Sequence, residues 1–271
     1  MPEGSELKLS AELIRPLMVN QIITDAYPSS NSRYAELSPE GYLEFKQDLS
    51  SNQCQVLDIQ TKGKFMYWTF TTGYLFCTFG MTGQFSPTRG KHPCFIFQYG
   101  DKEMVFNDPR HFGTIKFTKS KQELTDKLNN LGWDPLANTL EKYDSFIRDT
   151  LKKSNKCIGQ LLLDQGIFCG VGNYVRAESL YAAKLSPWRA TSSLTKEEVT
   201  TLQNAIINVM TASYQHQGAT IHSYQTPFGD EGKYSNSFKV YGLKNDSNGF
   251  KIKREKMKDG RAIYWCPDLQ K

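Results

Sequence analysis

The sequence predicts an α+β protein with a β-rich first half and a helical second half. Between residues 52 and 118, short β-branched and aromatic runs alternate with Gly, Pro and Asn turns, which is typical of an antiparallel β-sandwich or barrel. Between residues 140 and 214, apolar residues recur at helical spacing instead. A basic tail with two strand-like runs completes the chain.

The first half contains two predicted helices and six predicted strands. An amphipathic helix over 6–19 breaks near Pro16, and a second helix begins with Ser38 as its cap and ends at Leu49. The strands lie at 55–59, 64–70, 74–79, 94–99, 104–106 and 114–117. Their close spacing favours antiparallel pairing.

The second half contains a linker, four helices and a hairpin. Turn residues at 131–136 predict the linker. Helices are predicted at 140–152, 157–165, 174–184 and 193–214, and strands near 250–254 and 261–265. We therefore expect an N-terminal domain over 1–130, a linker at 131–138, a helical domain with a polar Gly-rich loop over 139–238, and a hairpin module over 239–271.

The net charge of the chain is concentrated in its tail. The chain carries 33 Lys and Arg against 28 Asp and Glu, a net charge of +5. Residues 239–271 hold nine basic and four acidic residues, which accounts for all of it. A concentrated basic segment indicates a polyanion partner. No run approaches the roughly 20 apolar residues that span a bilayer, so no membrane partner is expected.

The six cysteines are scattered and form no CxxC pair. The N-terminus also lacks the basic-then-apolar pattern of a signal peptide. We therefore expect reduced thiols in an intracellular protein, of the nucleus or the cytoplasm. No candidate base adjoins any cysteine, which argues against a catalytic thiol.

The N-terminal Met-Pro-Glu-Gly offers a nucleophile. Removal of Met1 would leave Pro2 with a secondary amine that is only partly protonated at neutral pH, since α-amino groups titrate near ~7.7–8. Such an amine can attack an aldehyde-like carbon and form an iminium, while Glu3 could protonate a leaving or ring oxygen. Taken alone, the motif more often marks a capping turn before a helix.

Three further motifs could contact a polyanion. Residues 170–178 place two glycines and Asn173 before a helix, which suits either a bound phosphate or a tight interhelical turn. The hairpin around Arg261 interleaves basic and aromatic residues, which fits a nucleic-acid contact or a solvated edge. Residues 107–113 set Arg110 and Phe112 close together, as a base-stack wedge or a plain β-turn.

In this order, the motifs resemble the Fpg/Nei family of DNA glycosylases (formamidopyrimidine-DNA glycosylase and endonuclease VIII) over nearly the whole chain. The resemblance is carried by PEG with Glu6, Lys64 in TKGKF, GMTG, NDPRHFG, LLLDQGIFCGVGNYVRAESLY with SPW, and GRAIYWCPDLQ. It implies an N-terminal β-sandwich with flanking helices, a helical domain with a helix-two-turns-helix, and a β-hairpin finger that grips DNA.

The resemblance also implies a bifunctional DNA glycosylase and AP lyase of base excision repair. The nucleophile at C1′ of the damaged nucleotide is matched by Pro2, and the general acid toward the sugar oxygen by Glu3. The phosphate contacts around the extruded nucleotide are matched by Lys64, Asn173 and Arg261. The residues that fill the vacated space are matched by Met81, Arg110 and Phe112. Elimination would then cut the strand on the 3′ side and usually also on the 5′ side.

The finger departs from the family pattern. Many members hold zinc there with two CxxC pairs, but residues 245–249 contain no cysteine, and only Cys266 matches the second pair. The resemblance therefore implies a zincless finger without metal, as in the animal and viral endonuclease VIII-like branch. Its packing is expected to involve Phe250, Ile252, Ile263 and Trp265. Two other positions depart as well: Ser5 replaces a usual proline, and Gly159 replaces a usual lysine that contacts phosphate.

Lesion preference stays open between two branches of the family. GVGNYVRAESLY is similar to the branch that favours oxidised pyrimidines, whereas Met81 and the loop at 218–238 are similar to the branch that covers oxidised purines. We expect oxidised pyrimidines and ring-opened or hydantoin purines, with an 8-oxoguanine-preferring enzyme as the alternative. The expected partner is damaged double-stranded DNA, with single-stranded DNA left open, and the protein is expected to be a monomer without a cofactor.

Two other function classes remain as alternatives to the enzyme. One is a non-catalytic binder of damaged DNA with the same fold, and the other is an RNA-binding module that uses the basic hairpin. Only the enzyme needs the amine of Pro2, so this residue distinguishes the three classes.

Overall fold

The structure, a computed structural model, describes residues 2–50, 53–221 and 224–271. It divides the chain into two units. The first comprises Pro2, Glu6–Asn129 and Gln217–Gly232. The second comprises Glu3–Ser5, Asn130–His216 and Lys233–Lys271. The boundary between the two units at Asn129 and Asn130 lies next to the predicted linker at 131–138.

The segment Gln217–Gly232, assigned from the sequence to the helical domain, groups with the first unit instead. The Ala219 N–H donates to the Glu6 carboxylate at 2.9 Å, and the Gln84 side-chain amide donates to the Thr226 carbonyl at 2.8 Å. Both bonds join residues far apart along the chain, so the sequence could not indicate them. His222 and Ser223 of the predicted loop lie outside the described residues, and the other domain boundaries remain predictions.

Two four-stranded antiparallel sheets form the first unit. Their strands are β1 (Asp25–Pro28), β2 (Val56–Lys62), β3 (Phe65–Phe70), β4 (Gly73–Thr78), β5 (Gln84–Ser86), β6 (Pro93–Tyr99), β7 (Lys102–Asn107) and β8 (Thr114–Thr118). One sheet has the order β1-β6-β7-β5 and the other β2-β3-β4-β8. The Trp68 ring of β3 lies 5.1 Å from that of Phe85 and 5.3 Å from that of Phe97, so the two sheets pack face to face.

Three helices accompany these sheets, namely α1 (Gly4–Met18), α2 (Tyr42–Leu49) and α3 (Lys121–Asn129). The prediction of Ser38 as the cap of α2 is wrong. Glu40 instead pairs with Lys116 of β8, and its carbonyl accepts the Phe117 N–H at 2.8 Å. This extended pairing holds the chain out of the helix until after Gly41, whose φ is 72°.

The second unit is helical. Its helices are α4 (Leu140–Lys153), α5 (Ile158–Leu161), α6 (Asn173–Ala182) and α7 (Lys196–Gln215). A capping box starts α7: the Thr195 side chain accepts the Glu198 N–H at 3.2 Å, and the Thr195 N–H donates to the Glu198 carboxylate at 2.8 Å. The helix therefore begins at Lys196, three residues beyond the predicted Ser193, which lies in a short 3-10 turn.

The tail forms the predicted hairpin, with strand β9 (Lys253–Lys256) antiparallel to β10 (Ala262–Trp265). Its buried side chains Ile252, Met257 and Ile263 pack with Val240 and Ala177. Phe250 was expected in this packing but is 41% exposed, so that prediction is wrong. The α+β prediction, with a β-sandwich, a helix-two-turns-helix region and a hairpin, is confirmed.

No helix among the described residues is long and apolar enough to cross a membrane.

Candidate functional site

The Glu3 carboxylate lies at the N-terminus of α6. Its oxygens accept backbone N–H bonds from Gly172 at 2.7 Å, Tyr174 at 3.0 Å and Val175 at 3.3 Å. The residue is only 2% exposed. The first N–H groups of a helix have no partner within the helix, so they are available to a carboxylate. These backbone N–H groups therefore hold the Glu3 side chain in a defined orientation.

Three glycines allow this close approach. A Cβ at Gly172 would overlap the Glu3 carboxyl group. The Gly4 N–H donates to the Gly170 carbonyl at 2.9 Å, and Gly170 has a φ of 90°, which favours glycine. A Cβ at Gly4 would lie 2.7 Å from the Met210 methyl carbon. The PEG and GVGN motifs, which the sequence presented separately, thus form one backbone contact.

Asn173 and Arg261 lie in the second unit, at the first residue of α6 and just before β10. The Arg176 guanidinium donates to the Asn173 amide oxygen and to the Ala262 carbonyl, the latter at 3.0 Å. Arg261 is exposed, and its N–H donates to the Asp259 carboxylate at 3.0 Å. Arg176 therefore connects Asn173 to the residue that follows Arg261.

Met81, Arg110 and Phe112 come together on two loops of the first unit. Met81 is 37% exposed and Phe112 is 54% exposed. The guanidinium carbon of Arg110 lies 5.0 Å from the centroid of the Phe112 ring, as a cation–π contact requires. The structure thus gathers the three residues that were predicted to fill the vacated space.

Asp108 joins these two loops, and the sequence analysis missed its role. The buried carboxylate accepts the Thr82 hydroxyl at 2.5 Å, the Gly113 N–H at 2.6 Å and the Arg110 N–H at 3.3 Å. In the sequence, the Asp-Pro pair indicates only a turn. Thr82 lies 26 residues before Asp108 in the chain. No local sequence pattern therefore indicates this contact.

Pro2 and Lys64 are both grouped with the first unit. Pro2 is buried and precedes α1, while Met1 lies outside the described residues. Lys64 is half-buried in the tight turn between β2 and β3, next to Gly63, whose φ is 56°. The roles of both residues, like those of the six other site residues, remain predictions.

Five of the six cysteines are buried, and Cys157 is half-buried. All six are among the described residues, and none of them forms a disulfide. Burial raises the pKa of the Cys54 and Cys94 thiols to about 11, and the pKa of Cys77 well above its usual value. Protonated thiols are poor nucleophiles, so the buried cysteines of the first unit do not offer a catalytic group.

The donor set of the finger does not fit a structural zinc ion. Such a site needs four ligands, usually Cys and His. Cys266 is buried, and its N–H donates to the Gln270 side chain at 2.7 Å. Across the described residues, no group of three or more His, Cys, Asp or Glu side chains is placed to hold a metal ion. The zincless finger itself remains a prediction that requires a metal analysis.

Two family models match this chain. Residues 1–115 match the formamidopyrimidine-DNA glycosylase N-terminal domain, and residues 131–225 match the formamidopyrimidine-DNA glycosylase H2TH domain. The chain is also 32% identical to the formamidopyrimidine-DNA glycosylase of Lactiplantibacillus plantarum, covering 82% of this chain and 84% of the relative. Identity to the enzyme of the same name from Listeria monocytogenes is 31%, covering 80% and 82%.

Similar solved structures cover almost the whole chain. A complex between the Lactococcus lactis Fpg and an abasic site containing DNA is 26% identical and has a TM-score of 0.87, covering 99% of both chains. A complex between a mutant of the Lactococcus lactis FPG and a Fapy-dG containing DNA is 25% identical and has a TM-score of 0.86, covering 100% of both chains.

Proposed function

The chain belongs to the Fpg/Nei family of DNA glycosylases, and we propose that it is a bifunctional glycosylase and AP lyase that acts through the amine of Pro2. The observation that carries the proposal is the fixed Glu3 carboxyl group beside Pro2 in the chain. Three backbone N–H groups hold it, and the next peptide is held by the bond from Gly4 to Gly170. A general acid needs such a defined position.

The proposed reaction begins at C1′ of the damaged nucleotide. After Met1 is removed, the Pro2 nitrogen attacks C1′, and the bond from C1′ to the base breaks with its electron pair leaving on the base. The attacking nitrogen loses its proton, and the departing base takes up one. Glu3 delivers a proton to the sugar ring oxygen, so the ring opens and the C1′–N bond becomes an iminium. Loss of a proton from C2′ then expels the 3′ phosphate, and a second elimination expels the 5′ phosphate.

Ser5 supports a rigid N-terminal segment despite replacing the proline that is usual in the family. Its side chain is buried, and its hydroxyl donates to the Met210 carbonyl at 2.9 Å. A nucleophile gains from being held in place, because correct positioning lowers the entropic cost of attack. The hydrogen bond thus takes over the restraint expected from proline.

The base must leave the duplex before its C1′ can be attacked. We assign Lys64, Asn173 and Arg261 to phosphates around the extruded nucleotide. We assign Met81, Arg110 and Phe112 to the space that it leaves. The exposure of Met81 and Phe112 supports the second assignment, because an apolar side chain that enters a base stack must be accessible.

The proposed substrates are oxidised pyrimidines and ring-opened or hydantoin purines in double-stranded DNA. The name of the relatives, formamidopyrimidine-DNA glycosylase, and the bound Fapy-dG of a similar structure support the ring-opened purines. The loop at 218–238 supports the rival, an 8-oxoguanine-preferring enzyme, because the branch of the family that acts on oxidised purines uses such a loop. A non-catalytic binder of damaged DNA would need none of the N-terminal chemistry.

The proposal is tested with duplex oligonucleotides that each contain one lesion: an oxidised pyrimidine, a formamidopyrimidine, a hydantoin or 8-oxoguanine. The processed protein should release the base and leave a phosphate on both sides of the gap, fastest with the first three lesions. Fastest cutting at 8-oxoguanine would support the rival. Tight binding of every lesion without base release would exclude the enzyme and support the non-catalytic binder of damaged DNA.

A further inference from the structure

Arg176 carries a positive charge into the interior of the second unit. This residue of α6 is 0% exposed. Burial lowers the pKa of its guanidinium to about 10, which leaves it charged at neutral pH. A buried charge is costly unless polar partners surround it. The partners of Arg176 therefore indicate what the charge contributes.

These partners come from three separate segments. Nη1 donates to the Gly159 carbonyl of α5 at 2.9 Å and contacts the Met257 sulphur at 3.3 Å. Nη2 donates to the Asn173 amide oxygen and, at 3.0 Å, to the Ala262 carbonyl. The Arg176 side chain thus connects α5 and the start of α6 with Met257 and Ala262, which lie on either side of the hairpin turn.

Gly159 makes room for this arrangement. A Cβ at this position would lie 2.9 Å from the Met257 methyl carbon and from the Pro187 carbonyl oxygen. Gly159 therefore lets the hairpin approach α5 closely. The Gly159 carbonyl accepts the hydrogen bond from Arg176.

The chemistry of the guanidinium also orients Asn173. An arginine side chain only donates hydrogen bonds, so the Asn173 atom that it contacts must be the amide oxygen. The amide NH2 group then faces away from Arg176. One of its N–H groups contacts the Tyr241 hydroxyl, and the other is the donor for an acceptor such as a phosphate oxygen. We infer that Arg176 is a positioning residue, which presents the NH2 group of Asn173 to a DNA phosphate and fixes the backbone beside Arg261.

This inference rests on the proposed phosphate contact of Asn173, and a double-mutant cycle tests it. Arg176→Met, Asn173→Ala and the double variant are compared with the wild type for affinity to a duplex that carries an uncleavable tetrahydrofuran abasic analogue. Arg176→Met should weaken binding about tenfold, as expected for one lost charge-assisted hydrogen bond. In the Asn173→Ala background the same change should cost only about threefold, because the effect on the backbone beside Arg261 remains.

A second readout separates positioning from a direct phosphate contact. The slope of binding against salt concentration should not change in Arg176→Met, whereas a residue that itself neutralises a phosphate lowers the slope by about one. Arg261→Ala, at an exposed position, is the matched control that should lower it. A slope reduced by about one in Arg176→Met would overturn the positioning role.

Arg176→Lys is a control for the case in which Arg176→Met does not fold. Lysine keeps the charge but lacks the planar fork that serves several acceptors at once, so about the same loss of affinity is expected. Wild-type affinity in Arg176→Lys, or an equal loss with and without Asn173, would contradict the inference. Because this binding requires no chemistry, the result stays separate from whether the protein cleaves DNA.

Discussion

Glu3 illustrates how a single functional side chain depends on distant backbone. Its three N–H donors lie between 169 and 172 residues away along the chain. The sequence indicated Glu3 and Asn173 as candidates because each stands in a recognisable motif. It gave no indication that Gly172 is required because a Cβ there would meet the Glu3 carboxyl group.

Replacing Glu3 by glutamine should separate the two proposed activities. Glutamine keeps the size of the side chain but cannot donate the required proton, so base release should fall by about 10²–10⁴-fold. Strand cutting at a preformed abasic site should fall much less, because its sugar already opens to an aldehyde. Single-turnover rates on both substrates measure the difference.

Glu12→Gln is the matched control for this experiment, because Glu12 is an exposed carboxylate on the same helix α1. It should leave both rates unchanged. An equal loss of both activities in Glu3→Gln would show that Glu3 serves only to hold the N-terminal segment.

Among the secondary-structure elements, the sequence predicted the strands that have a clear local residue pattern. All six predicted strands are present, because short runs of β-branched and aromatic residues between turn residues mark them. Strands β1 and β5 were missed, since four and three residues give too short a pattern. The contacts of Asp108 and Arg176 could not be predicted for another reason: both side chains bond to residues of other elements.

The finger is held together by hydrogen bonds as well as by apolar packing. The Asp246 carboxylate accepts the Asn248 N–H at 2.9 Å, the Phe250 N–H at 2.8 Å and the Tyr181 hydroxyl at 2.8 Å. Desolvation by burial raises the pKa of Asp246, but these hydrogen bonds outweigh it and hold the pKa below the ordinary 3.8. One carboxylate thereby organises the turn and links it to α6.

This lowered pKa predicts a pH-dependent contribution to stability. Because the folded-state pKa lies below the unfolded value, the stabilisation is fully present above pH 3.8 and is lost as the pH falls through the folded-state pKa. Wild type should therefore unfold at a higher denaturant concentration than Asp246→Asn at pH 7, and the gap should narrow below about pH 4.

Asp268→Asn provides the control, because Asp268 is an exposed carboxylate of the same segment. It should match the wild type across the pH range. A gap between wild type and Asp246→Asn that stays constant down to pH 3 would contradict the role of the ionised carboxylate.

At the scale of the whole molecule, the basic tail and the missing cysteine pairs both concern the finger. Residues 239–271 carry the whole net charge of +5, and 253–256 and 262–265 form its hairpin strands. A basic hairpin suits a DNA backbone. Its buried Ile252, Met257 and Ile263 supply apolar packing.

We predict that the purified protein contains no stoichiometric zinc. Its unfolding midpoint should not change when a chelator is added, because metal-dependent folds lose stability with their metal. Elemental analysis checks the content, and a zinc-finger member of the family serves as the positive control. One zinc per chain would prove the prediction wrong.

Borohydride trapping on abasic-site DNA tests directly whether the amine of Pro2 forms the covalent intermediate. Reduction of an iminium fixes the protein to the DNA, and peptide mapping then identifies the linked nitrogen. We expect a covalent adduct at Pro2 for protein that has lost Met1, and none for protein that retains it. The absence of an adduct, or an adduct on a lysine side chain, would contradict catalysis by the N-terminal amine.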